Sequence, residues 1–118
     1  MAKHAYAPYS HFHVGAAVLA ASGKVYGGAN IENASYGATI CAERAAIFKA
    51  VNAGERKLVA IAVTATPCGM CRQVMREFSD PKTFRIYVAA CAKDVKAYTL
   101  DELLPESFGP DNLAISQG

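Results

Sequence analysis

Apolar and polar residues fall along the chain in blocks of strand and helix length. His13 to Ala20 (H-V-G-A-A-V-L-A) is almost wholly apolar and reads as a buried strand. Ser22-Gly23 marks a tight turn, and Lys24 to Asn30 (K-V-Y-G-G-A-N) reads as the returning strand of a hairpin. The paired glycines weaken that strand and predict that something approaches its backbone closely. Residues 31–38 read as a loop. Thr39 is the expected N-cap of a helix with body C-A-E-R-A-A-I-F-K-A-V, apolar at Ala45, Phe48 and Val51 and stopped at Gly54. Leu58 to Thr64 (L-V-A-I-A-V-T) is a second strand-length apolar run. Pro67 and Gly69 break the chain before a helix over 70–78. Phe84 to Ala90 reads as a strand, Lys93-Asp94 as a turn, Val95 to Thr99 as a short strand, and Asp101 to Leu104 as a short helix ended by Pro105. At the start, A-K-H-A-Y reads as a short helix stopped before Pro8. The tail is polar and reads as mobile.

Hairpin, helix, strand, helix, strand, strand is an α/β order, giving three layers with a mixed sheet of five strands and helices packed on it. The 118 residues suit one domain, 1–118, around one core. No apolar run approaches the roughly 20 residues that cross a bilayer. The first ten residues lack the charged-then-apolar order of a secretory signal, so a cytoplasmic location is expected. The net charge of +2 comes from scattered basic residues, which argues against a nucleic-acid or membrane partner. An uncharged small molecule such as a nucleoside needs no basic patch.

Candidate chemistry lies in the cysteines, at 41, 68, 71 and 91. The stretch T-P-C-G-M-C-R-Q at 66–73 could be a redox pair, part of a structural zinc site, or half of a catalytic metal centre. Cys41 and the Cys68/Cys71 pair both fall where helices should begin, and helix N-termini favour thiolates. Three thiolates fill three of four tetrahedral zinc positions, and an open fourth position separates a catalytic zinc from a structural one. Glu43, two residues after Cys41, tips the reading toward catalysis, because a carboxylate there can move protons without binding the metal. Cys91 ends an apolar strand and reads as a core or strand-end thiol. His4, His11 and His13 have no ligand spacing and read as surface or packing residues.

Cys-x-Glu at 41–43 followed by Pro-Cys-x-x-Cys at 67–71 matches the zinc-deaminase signature in its three-cysteine form. With Y-A-P-Y-S-H-F-H-V-G-A-A at 6–17, N-I-E-N-A-S-Y-G at 30–37, C-A-E-R-A-A-I-F-K-A at 41–50 and E-L-L-P-E-S-F at 102–108, the chain resembles the small homotetrameric cytidine deaminases. The likeness runs from about Tyr6 to Phe108. It departs in showing only the end of the family's N-terminal helix and a short Thr64–Pro67 link.

The resemblance implies a cytidine-deaminase-like fold with helices on both sheet faces. It implies Zn²⁺ on Cys41, Cys68 and Cys71, and Glu43 as proton shuttle. Asn30 and Glu32 would bind the ribose hydroxyls and Phe12 would lie against the pyrimidine. The Ala42 N–H and Glu43 would address the ring's polar edge. Tyr36 and Phe108 would complete sites across subunit boundaries of a homotetramer. Zinc with three thiolates carries a formal charge of about −1, and Arg44 beside Cys41 is placed to offset it, with Arg72 a further candidate. The implied activity is hydrolytic deamination of cytidine and 2′-deoxycytidine in pyrimidine salvage. Two alternatives stand beside it: a blasticidin-type nucleoside antibiotic deaminase with the same motif, and a structural zinc module closed by Cys91.

Overall fold

The computed structural model describes residues 1–91 and 94–113. Five strands, β1 (Gly15–Ala20), β2 (Val25–Ala29), β3 (Leu58–Val63), β4 (Arg85–Cys91) and β5 (Asp94–Thr99), form one sheet in the order β2-β1-β3-β4-β5. Only β3 and β4 run parallel; the other neighbours are antiparallel. A parallel pair needs a crossover, and helix α2 (Gly69–Glu77) supplies it. Helix α1 (Ala42–Asn52) joins β2 to β3. The four-residue helix α3 (Leu100–Leu103) follows β5 at once, started by a capping box in which Thr99 and Glu102 satisfy each other's backbone N–H. The turn expected at Lys93-Asp94 and the polar tail beyond Leu113 fall wholly or partly outside the described residues.

The core follows strand alternation. Ala16, Val18 and Ala20 of β1 face the helices, paired with Val63, Ile61 and Leu58 of β3. Ile86 and Val88 extend that surface across β4, and Ile47, Met75, Phe84 and Leu100 close over it. Helices stand on both faces, but unequally. Neighbouring residues of a strand point to opposite faces: a Cβ on Gly28 would meet α1, whereas one on Gly27 would meet Met1, beside the Ala2–His4 3₁₀ turn. Past that turn the second face is open, with Val59, Tyr87 and Val95 exposed.

Two details of α1 differ from the sequence reading. Its buried positions are Ala42, Glu43, Ala46, Ile47 and Ala50, while Phe48, in the expected apolar stripe, is exposed. The cause is Gly28. A Cβ there would lie 2.5 Å from the Ala46 nitrogen and 2.8 Å from the Ala42 oxygen, so the helix backbone rests directly on β2. The four-residue alanine repeat, rather than the larger Phe48, sets the packed face. The second difference is the N-cap, which is Cys41 and not Thr39. Ile40 is held in a two-bond bridge with Ile31, and the Thr39 hydroxyl accepts from the Asn33 N–H at 3.1 Å, so the helix starts only after both.

Candidate active site

Both long helices open on a cysteine. Cys41 is the N-cap of α1, Cys68 is the N-cap of α2, and Cys71 lies in the first turn of α2. The short Thr64–Pro67 link does not keep the two helix starts apart. The Cys41 and Cys68 sulfurs are 3.8 Å apart, those of Cys68 and Cys71 3.4 Å, and all three lie within 4.8 Å of one another. Zinc–sulfur bonds of about 2.3 Å in a tetrahedron require sulfurs about 3.8 Å apart, so the trio fits a zinc ion. Among the described residues no other cluster has this character. Strand β4 ends at Cys91, whose side chain lies outside the described residues.

The thiols differ in surroundings. Cys71 is fully buried, and burial, with the Glu43 charge nearby, pushes its thiol far above the usual range. Burial also opposes ionisation of Cys68, but the Cys71 and Met70 N–H groups and the two neighbouring thiols overcome it and hold the Cys68 pKa low. This is the helix N-terminus acting on a thiolate. A cation would relieve the strain on Cys71, since a coordinated thiol is deprotonated outright.

Glu43 stands at the second position of α1, in its first turn. Its side chain is 4% exposed and faces Cys71, and burial raises its carboxyl above the ordinary range. Ala42, the first residue of α1, is buried, and its N–H has no intrahelical acceptor. Arg44 donates through Nη2 to the Cys41 sulfur at 3.3 Å and to the Thr39 carbonyl at 3.4 Å, and the thiols raise its pKa further. Its Nε is buried without a partner among the described residues. Arg72 does not share this task. Its Nε bonds the Pro67 carbonyl at 2.9 Å and its Nη1 the Leu103 carbonyl at 2.8 Å.

The polar residues beyond this corner are brought in by backbone pairing. Ile31 and Ile40 exchange two N–H···O bonds at 2.9 Å, which sets Asn30–Glu32 beside Cys41. Tyr6 pairs with the other side of Ile31. Buried Asn30 then pins the preceding segment: its Oδ1 accepts from the Val14 N–H and its Nδ2 donates to the Phe12 carbonyl, both at 2.9 Å. Glu32 Oε1 accepts from the Tyr9 and Ser10 N–H groups at 3.0 and 3.1 Å, and Oε2 accepts from the Ser10 hydroxyl. These bonds, the Ser10 hydroxyl first, hold the Glu32 carboxyl below the ordinary range. Tyr9, Ser10, Glu32, Tyr36 and Thr39 line a cavity of about 420 Å³, where the Tyr9 and Tyr36 rings meet edge-on at 6.0 Å.

A larger cleft of about 620 Å³ runs past Lys57, Arg76, Asp80 and Asp111. Neither cavity is lined by the cysteines or Glu43; the smaller one holds Glu32 and reaches Thr39, two residues before Cys41. Phe12 and Phe108 line neither cavity. Phe12, Tyr36 and Phe108 are 60%, 73% and 58% exposed. Sequence reasoning gave no role to Ser10, which orients Glu32, or to Tyr9 and Thr39 in the cavity wall. Ser10 and Tyr9 lie within the quoted Y-A-P-Y-S-H-F segment, which was the available signal.

The cytidine and deoxycytidylate deaminase zinc-binding region matches residues 1–88. A cytidine deaminase of Halalkalibacterium halodurans is 50% identical over 115 residues, covering 92% of this chain and 86% of the relative. One of Sporosarcina psychrophila is 45% identical over 118 residues, covering 95% and 86%. The crystal structure of cytidine deaminase from Burkholderia pseudomallei superposes with a TM-score of 0.85 at 46% identity, covering 91% of this chain and 90% of that one.

Proposed function

Since the chain belongs to the cytidine and deoxycytidylate deaminase zinc-binding family, we propose that it is a zinc-dependent aminohydrolase converting cytidine and 2′-deoxycytidine, with water, to the uridine forms and ammonia. The observation that carries this is the convergence of three sulfurs with a buried carboxyl, Glu43, that is not one of the clustered metal-binding groups.

Cys41, Cys68 and Cys71 would hold the ion. Bound zinc supplies Lewis acidity that makes water a nucleophile near neutral pH. Glu43 would move two protons, one from the attacking water to ring N3 and one from the new C4 hydroxyl to the amine, which leaves as ammonia. Its burial keeps bulk water from competing for the proton. The free Ala42 N–H donates to the ring's polar edge. Arg44 withdraws charge from Cys41, which keeps a three-thiolate site acidic enough to act.

The ribose hydroxyls fall to Asn30 and Glu32. Asn30 keeps one N–H and one lone pair after pinning residues 12–14, and Glu32 Oε2 keeps one acceptor site after Ser10. Phe12 lies against the pyrimidine. The exposed rings of Phe12, Tyr36 and Phe108 support a homotetramer in which Tyr36 and Phe108 finish neighbouring sites. No described helix is long and apolar enough to cross a membrane, and a cytoplasmic role in pyrimidine salvage is part of the proposal.

The antibiotic-deaminase and closed-module alternatives gain nothing from the relatives, which are named cytidine deaminases. The deciding assay follows loss of the cytidine ultraviolet band on adding zinc-loaded protein, with and without a chelator. Turnover that stops on chelation and returns with zinc is expected. No turnover by protein carrying one zinc per chain overturns the reading.

A further inference from the structure

Beyond the cysteines, α2 carries a second set of bonds that no catalytic role uses. Arg76, in its last turn, is only 7% exposed. Its Nε donates to the Ser107 hydroxyl at 2.8 Å and its Nη2 to Asp111 Oδ1 at 2.6 Å. One turn earlier, Gln73 Nε2 donates to the Phe108 carbonyl at 2.8 Å, and Arg72 holds the Leu103 carbonyl. Gly109 leaves room for the guanidinium, since a Cβ there would lie 2.4 Å from Arg76 Cζ. The turn just before has Glu106 in the left-handed region, at φ 51°.

A burial of this kind is hard to explain by stability alone. Taking a guanidinium out of water is costly, and its carboxylate partner is largely exposed, where an ion pair returns little. What the bonds do share is a location. They grip residues 107 and 111 on either side of Phe108, and Phe108 itself, while leaving its ring exposed.

We propose that Arg76, helped by Gln73, is a positioning residue that fixes the 107–111 turn on α2 and so aims the exposed Phe108 ring. This rests on the deaminase reading, in which Phe108 touches substrate. The consequence is that α2 serves two sites: its start holds two zinc thiols of its own site, and its last turn sets the angle of an aromatic that meets substrate in a neighbouring one. Loss of the clamp should therefore loosen substrate binding without disturbing the metal.

The test is a cycle on the zinc-loaded full chain. Arg76→Lys keeps the charge but loses the two-pronged donor, and Gly109→Ala pushes on the guanidinium from the other side. Each should raise KM for cytidine about fivefold, with kcat within about twofold of the parent and zinc at one per chain. In a Phe108→Ala background the further effect of Arg76→Lys should vanish. An unchanged KM, or the same fold-loss with and without the Phe108 ring, overturns the inference. If Arg76 variants do not fold, Gln73→Ala and Asp111→Asn carry the same cycle with the same outcomes. Absence of turnover in the unmodified zinc-loaded chain would instead sink the deaminase reading, so the two failures are distinct.

Discussion

The thiol corner and the aromatic rim are built on opposite plans. The corner is anchored in the core by Cys71 and Glu43, with Cys41 half-buried and Cys68 exposed; it is made by two helix starts, and three sulfurs, Glu43, the Ala42 N–H and Arg44 of one chain all meet there. The rim is exposed and assembled from loops far apart in sequence, at Phe12, Tyr36 and Phe108, none of which is covered. Helix starts seated on the core suit groups that must hold metal and protons at fixed distances. Exposed aromatics on pinned loops suit contacts that a substrate or a second subunit completes. The division predicts that corner variants fail in chemistry or metal content, and rim variants in binding.

The sharpest break should come from Cys71→Ser. It removes a fully buried ligand, so zinc content and turnover should disappear together, read by metal analysis and the ultraviolet assay. Glu43→Gln should retain zinc and fold yet lose about a thousandfold or more in kcat, the range expected for a lost general acid–base. If that variant kept parental turnover, the corner would not be the seat of the chemistry. Tyr36→Ala tests the rim: KM should rise about tenfold, roughly 1.4 kcal/mol, with zinc unchanged and with assembly weakened in sedimentation. Gly28→Ala touches neither region directly. Its Cβ would press on α1 backbone, and we expect a loss of about 1–3 kcal/mol of stability in denaturant titration.

The smallest effect concerns pH. The Glu32 carboxyl is held below the ordinary range by Ser10 and the Tyr9 and Ser10 N–H groups. A carboxyl with a depressed folded pKa contributes fully above the unfolded value, and its contribution is lost as pH falls through the folded one. Binding through Glu32 should thus survive mild acid, with KM rising only below the usual glutamate range. Ser10→Ala should move that rise to higher pH in a KM–pH profile. An unmoved profile would mean that Glu32 does not contact substrate.

Much of this plan was legible in the chain. Helices opening close to Cys41 and Cys68, the β3–α2–β4 crossover and the thiol trio follow from apolar runs, breakers and a spaced motif, all short-range signals. What escaped depends on contacts between distant segments. Phe48 looked like core because size and period suggested it, but the packed face of α1 was set by a glycine in β2. Thr39 has the better capping side chain, yet the Ile31–Ile40 bridge moved the helix start to Cys41. Arg72 was a further candidate for offsetting the thiolate charge, whereas its guanidinium bonds the Pro67 and Leu103 carbonyls. Arg76 drew no attention in the sequence, because nothing local announces a partner 35 residues downstream.

The Ile31–Ile40 bridge has one more consequence. It closes residues 32–39 into a cassette whose two ends are stapled together immediately before the first zinc thiol. The cassette carries Glu32, Tyr36 and Thr39, three of the five residues lining the 420 Å³ cavity. New loop sequences grafted between those staples would redraw that cavity wall and leave Cys41 where it stands, so the cavity and metal retention can be varied independently.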